Sequence, residues 1–123
     1  MKQILSEVLI DLSNQDQFCF AVVCTECGSQ WKSTPVRFSK AGVVPQTEEK
    51  KIIFRTLYQR EWEKARLKAI DDAMHIFNCC PMCGRLVCND CFMICDELDM
   101  CKTCSKWLKE HGEPIMSNSV GSV

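Results

Sequence analysis

Between residues 48 and 77 the chain runs thirty positions without Gly or Pro and is rich in Glu, Lys, Arg and Ala. Phe54, Tyr58, Trp62, Ala65, Ala69 and Ala73 recur there at spacings of three and four, flanked by Leu57, Ile70 and Phe77. That period predicts one long helix over 48–77 with an apolar stripe along it. Thr47 is placed to cap its start, and Glu48 and Glu49 sit at the positive end of the helix dipole. At about 1.5 Å per residue the helix would span roughly 45 Å. Two readings of the Phe54-Tyr58-Trp62 segment stay open. Either the N-terminal strands fold over it as ordinary core, or it is a docking face for another protein or a second copy of the chain. The Ala65-Ala69-Ala73 segment allows close approach and is expected against the cysteine-rich part of the chain, with a helix-helix seam as the equal alternative.

Elsewhere the apolar runs are short. Residues 3–12 are rich in Ile, Leu and Val without clean alternation, so a strand and a short helix are both open. Residues 13–16, Ser-Asn-Gln-Asp, read as a turn. Residues 18–23 and 31–38 read as strands on either side of a tight turn, and 39–47, with Gly42 and Pro45, as a loop. Beyond the helix, Leu86 and Val87 are expected inside, and Phe92-Met93-Ile94 as a cover. A short helix is expected from Ser105 with Trp107 and Leu108 inward, stopped by Gly112-Glu113-Pro114. Residues 112–123 are small and polar and read as a flexible tail.

The strands and the helix are punctuated by cysteines, eleven in all. Eight form four Cys-x-x-Cys pairs: Cys24/Cys27, Cys80/Cys83, Cys88/Cys91 and Cys101/Cys104. A Cys-x-x-Cys turn offers two thiolates to one tetrahedral ion, so four pairs predict two zinc ions per chain in all-thiolate sites. Three pairings of the pairs are conceivable. The four residues between Cys83 and Cys88 make a shared ion for the two middle pairs sterically tight. An interleaved arrangement (Cys24, Cys27, Cys88, Cys91 with Cys80, Cys83, Cys101, Cys104) and a nested one remain. Cys19, Cys79 and Cys95 are spare: Cys19 and Cys95 are expected to be small buried hydrophobes before ligands, Cys95 being the alternative to Cys91, and Cys79 is the alternative to Cys80 in a Cys79-x3-Cys83 register. Disulfides are the competing use of so many cysteines. The start, Met1-Lys2-Gln3-Ile4-Leu5-Ser6-Glu7, builds no secretory apolar segment, and the expectation is therefore a reducing, cytoplasmic setting.

The run Cys80-x-x-Cys83-Gly84-x-x-x-Cys88-x-x-Cys91, with one pair before it and one after, resembles the cross-brace zinc modules, FYVE-type domains above all and RING-type domains more loosely. The general look is also that of small bacterial zinc-ribbon proteins. The resemblance implies the interleaved pairing. Its known activities do not follow, because the basic cluster a FYVE domain carries before its second pair is here His75-Ile76-Phe77-Asn78-Cys79. The alternating Cys/His pattern of RING-type ligases is also missing. The expected architecture is thus α+β: a small two-zinc, cross-brace or zinc-ribbon-like module with knuckle strands and one long helix inserted between the first and second pairs. A single domain over 1–111 is expected, with 1–38, 48–77 and 79–111 as its parts.

Charge narrows the partners. The formal net charge is −1, and eight thiolates with two zinc ions take it to −5. Nucleic acid asks for a concentrated basic face, whereas Lys102, Lys106 and Lys109, like Lys50, Lys51 and Arg55, read as solvated helix faces. No run is long enough to span a bilayer. Catalytic zinc keeps an open position and a water, which four thiolates do not leave. His75 and His111, the only histidines, have no nucleophile marked out beside them. No catalytic residue and no small-molecule substrate is expected. The leading expectation is a non-catalytic protein-interaction or adaptor module that meets another protein, or itself, through the 48–77 helix. A thiol-based redox-responsive or chaperone-like zinc protein is the alternative, and a nucleic-acid-binding ribbon ranks third.

Overall fold

Thr47 opens the longest element of the fold. Its hydroxyl accepts the amide of Lys50 at 3.2 Å and caps helix α2, Glu48–Ala73. The computed structural model describes residues 1–94 and 98–111. These divide into two compact units: Met1–Val23 with Gln30–His75, and Cys24–Ser29 with the described residues from Ile76 onward.

In the first unit, helix α1 (Lys2–Val8) is followed by strands β1 (Ile10–Asp11), β2 (Gln17–Phe18), β3 (Phe20–Val23), β4 (Gln30–Lys32) and β5 (Val36–Arg37). Residues 3–12, ambiguous from sequence, are therefore helix first and strand last. The expected strands over 18–23 and 31–38 are each broken into shorter pieces. A three-stranded antiparallel sheet runs in the order β1-β3-β4, and β2 pairs with β5. Leu5, on α1, is fully buried where α1 packs on α2.

The core of this unit is aromatic. Phe18, Phe20 and Phe38 are buried with Ala65 and Ala69, and Phe54, Tyr58 and Trp62 pack against them. Tyr58 lies 5.0 Å from the Phe18 ring and 5.2 Å from that of Phe38, Phe54 lies 5.2 Å from Phe38, and Trp62 lies 5.8 Å from Phe20. The stripe's aromatic part is therefore covered by the chain's own N-terminal strands. Its small part, Ala65 and Ala69, lets Phe18 and Phe20 come close to the helix. The polar tips of the two amphipathic rings are also satisfied there. Tyr58 donates to the Asn14 carbonyl at 2.9 Å, and the Trp62 indole to Asp11 Oδ2 at 3.1 Å.

α2 ends four residues short of the expected 77. Residues Phe77–Cys79 form strand β6 and pair with β7 (Leu86–Cys88) in register Phe77↔Cys88, Asn78↔Val87 and Cys79↔Leu86. Helix propensity gives way because this hairpin carries a cysteine turn at its tip, and Phe77 buries its ring from the strand. A 3-10 turn, Asn89–Cys91, leads into β8 (Phe92–Met93), which pairs with β9 (Met100–Cys101), and α3 (Lys102–His111) closes the second unit. Leu86 and Val87 are buried as expected. Trp107 is not: it is 52% exposed on α3 and stacks on His111, while Ser105 takes the buried position. Ile94 is also exposed rather than covering. The spare Cys95 and the tail beyond His111 lie outside the described residues.

Candidate metal centres

Two of the cysteine pairs are the same piece of backbone used twice. In 24–29 and in 80–85 the pattern is Cys-x-x-Cys-Gly-x. The first cysteine's amide donates to the sixth residue's carbonyl, Cys24 to Ser29 at 3.0 Å and Cys80 to Arg85 at 2.9 Å. The glycine amide closes back on the first cysteine's carbonyl, at 2.9 Å for Gly28 and 2.7 Å for Gly84. Each glycine has φ of 76°, a conformation that costs a residue with a Cβ. β3 and β4 lead into and out of the first turn, and β6 and β7 flank the second. The other two pairs are placed differently. Cys88 and Cys91 bracket the 3-10 turn, and Cys101 and Cys104 bracket the first residues of α3, where the Cys104 amide points at Cys101 Sγ (3.5 Å).

Two clusters result. Cys24, Cys27, Cys88 and Cys91 bring their sulfurs within 4.8 Å of one another, and so do Cys80, Cys83, Cys101 and Cys104. This is the interleaved grouping. It is reached across more than sixty residues because the amide and hydroxyl of Thr25 both donate to the Leu86 carbonyl, at 3.1 and 2.8 Å, and the Cys88 amide donates to Cys24 Sγ at 3.2 Å. Cys79, next to the clustered Cys80, turns its thiol to the Gly84 carbonyl (3.6 Å) and stays out of both clusters. Cys19 is buried in the first unit, its thiol 3.4 Å from the Ser33 carbonyl.

The donor sets fit zinc. Four sulfurs at about 2.3 Å from a tetrahedral ion lie roughly 3.8 Å apart. Cys27 and Cys88 are 3.8 Å apart in one cluster, and Cys83 and Cys101 are 3.8 Å apart in the other. The acid–base chemistry of the clusters also asks for a cation. The Ser29 hydroxyl, 2.9 Å away, and the Ser29 amide hold the Cys27 thiol down to about 6. Cys80 is also lowered to about 6: burial opposes ionisation, but amides led by that of Cys101 at 3.3 Å outweigh it. Burial and the crowd of neighbouring sulfurs push Cys91 and Cys104 strongly the other way. Several sulfurs this close do not all ionise unaided. A divalent ion held by Cys24, Cys27, Cys88 and Cys91, or by Cys80, Cys83, Cys101 and Cys104, would remove that conflict by favouring the thiolate form of all four. A closed set of four leaves no position for water, so the metal would supply rigidity and not Lewis-acid chemistry.

One residue near the clusters went unmarked in the sequence. Arg85 directs Nε at Cys83 Sγ (3.4 Å) and Nη2 at Cys101 Sγ (3.5 Å), and the same Nη2 meets Glu26 Oε1 at 2.9 Å. The Thr103 hydroxyl donates to the other Glu26 oxygen, and with Arg85 it holds that carboxyl below its ordinary range. The signal that could have found it is the repeat of Cys-x-x-Cys-Gly-x, whose sixth position is Ser29 once and Arg85 once. No family model matches the chain, and neither a curated protein nor a solved structure matches it.

Proposed function

We propose that this chain is a non-catalytic protein-interaction module whose shape two structural zinc ions maintain. The observation that carries the reading is the closed donor set: all eight clustered ligand atoms are sulfurs, four to a site, in geometry suited to a tetrahedral ion. The helix remains the place where a partner is met, although its aromatic stripe is core. At its N-terminal end Val43, Val44 and Ile53 are each more than half exposed. With Lys40, Lys50 and Phe54 they line a groove of about 240 Å³. Open apolar walls with two ammonium groups on them suit a segment of another protein that presents apolar side chains together with a carboxylate. Such a segment would remove the valines and Ile53 from water, and its charge would fix its direction in the groove.

Selection of displayed peptides against the zinc-loaded chain tests this. Binders should combine apolar and acidic residues and lose at least about tenfold in affinity when the chain carries Ile53→Glu with Lys50→Glu, a change of about 1.4 kcal/mol. Enrichment of basic peptides, or binding indifferent to those substitutions, would remove the groove from the reading. Sedimentation of the free chain covers the remaining occupant. A dimer abolished by Ile53→Glu would assign the groove to a second copy.

A further inference from the structure

The two glycine turns end on different residues, Ser29 in one and Arg85 in the other, and that difference links the clusters. Ser29 offers Cys27 a neutral hydroxyl, whereas Arg85 lays a cation across two sulfurs, Cys83 and Cys101, that belong to different pairs of the second cluster. The planar guanidinium suits this, since its donors are fixed in a fork. Four thiolates on a divalent ion leave two negative charges in the centre, and a cation in contact with two of the sulfurs offsets one of them. Glu26, which holds that cation, lies between Cys24 and Cys27 in the turn of the first cluster, 59 residues from Arg85. Thr103 braces the same carboxylate from the first turn of α3.

We infer that Arg85 is a positioning residue for the second metal centre, aimed by Glu26 from the first, so that the two centres take up metal cooperatively. Metal on Cys24 and Cys27 fixes the turn that carries Glu26. Glu26 then holds Arg85 over Cys83 and Cys101 before the second ion arrives, so that a fixed cation already faces two of the four sulfurs that ion would join. The Arg85–Glu26 pair is partly exposed and contributes little stability by itself. What it contributes is direction, in the manner of outer-shell partners whose loss costs about 10- to 100-fold in metal affinity. The inference rests on the reading that both clusters hold zinc.

Native mass spectrometry of the full chain at one equivalent of cadmium or zinc reads the coupling. The wild-type chain should be mainly empty or doubly loaded. Glu26→Gln keeps the size of the side chain and removes its charge, and it should let the singly loaded form accumulate several-fold. In that form the ¹¹³Cd resonance should couple to the β-protons of Cys24, Cys27, Cys88 and Cys91. Arg85→Met should weaken the second centre by about 10- to 100-fold and shift its ¹¹³Cd resonance, and Arg85→Lys should restore only part, since an ammonium cannot fork to both sulfurs. Thr103→Val should act like a milder Glu26→Gln. If the wild type loads as a statistical mixture, or if Glu26→Gln and Arg85→Met load two at a time as the wild type does, the inference is overturned while the two-metal reading stands. A wild-type chain that binds fewer than two ions at saturation overturns both.

Discussion

The two units of this chain solve the same problem with different materials. The first buries rings: Phe18, Phe20 and Phe38 from the N-terminal segment meet Phe54, Tyr58 and Trp62 from α2. The second has short strands, a 3-10 turn and a ten-residue helix, and its most buried side chains include Cys24, Cys80 and Cys101 beside Phe77 and Val87. Apolar burial in the first unit acts over the whole face of a helix and tolerates imperfect fit. The second unit concentrates its stability at two points, where geometry and protonation state both matter. The contrast teaches where each unit would be vulnerable: the first to loss of volume, and the second, with metal in its clusters, to loss of that metal.

Metal removal should give the largest effect. Structural zinc supplies about 10–16 kcal/mol of apparent folding drive in zinc-finger peptides. With a strong chelator, the amides of Cys24, Thr25, Gly28, Cys80, Gly84 and Cys88, which are hydrogen-bonded in or onto the cysteine turns, should lose hydrogen-exchange protection. The amides of α2 and those of Ser33 and Phe38 should keep theirs. Acid should act like the chelator, since protons compete with metal for each thiolate. Simultaneous loss of protection in both units would show that the contrast is false and that the metal holds the whole chain.

The converse experiment removes a ring. Phe38 is fully buried between Phe18, Phe54 and Tyr58, so Phe38→Ala should cost about 3–5 kcal/mol. Urea titration of the zinc-loaded variant should locate that loss in the first unit, with both metals still bound by mass spectrometry. Release of metal by Phe38→Ala would mean that the clusters depend on the aromatic core.

Glycines give a finer comparison, because the same backbone penalty can be set in either unit. Gly42 (φ +84°) and Gly84 (φ +76°) both occupy left-handed conformations, and a Cβ at either would meet nothing within 4 Å. Substitution by Ala at each should therefore cost the conformational term alone, about 1–2 kcal/mol. For Gly42→Ala that should appear as lower urea stability at unchanged zinc affinity. For Gly84→Ala it should appear as zinc affinity reduced by roughly tenfold, measured by competition with a chelating dye. Equal losses of affinity from both would break the separation.

These sites also show what could be read from the sequence. The cysteine turns were legible because Cys-x-x-Cys-Gly is local chemistry, and Gly28 and Gly84 are demanded by the turn itself. The start of α2 was legible for the same reason, in Thr47 and the two glutamates after it. Its end was not. Nothing in residues 74–77 breaks a helix, and α2 stops because Phe77–Cys79 pairs with a strand that lies beyond the next turn. Trp107 misled for a related reason: an aromatic ring on a short helix suggests burial, but here the helix's buried position goes to Ser105 and the indole stacks outside on His111. Arg85 was hidden because its partners, Cys83, Cys101 and Glu26, are assembled from three separate stretches of chain.

The smallest predicted effect lies at Tyr58 and tests whether the ring or its hydroxyl holds the first unit. The ring packs on Phe18 and Phe38, and the hydroxyl donates to the Asn14 carbonyl at 2.9 Å near the surface. Tyr58→Phe keeps the packing and removes one hydrogen bond, so it should cost about 0.5–1.5 kcal/mol, at the low end because water can reach the freed carbonyl. Burial, together with the nearby Asp11 carboxylate, raises the Tyr58 phenol above its ordinary value. A raised folded value means that the protonated ring contributes its full stability below the unfolded value, near 10, and loses it as pH climbs through the folded one. The wild-type first unit should therefore weaken in alkali more steeply than the variant. The two urea midpoints should draw together as pH rises above about 10, with zinc occupancy monitored in parallel to exclude a contribution from the second unit. A variant that weakens in alkali as steeply as the wild type would show that the alkaline loss comes from another group and that the Tyr58 hydroxyl is no part of what holds the rings together.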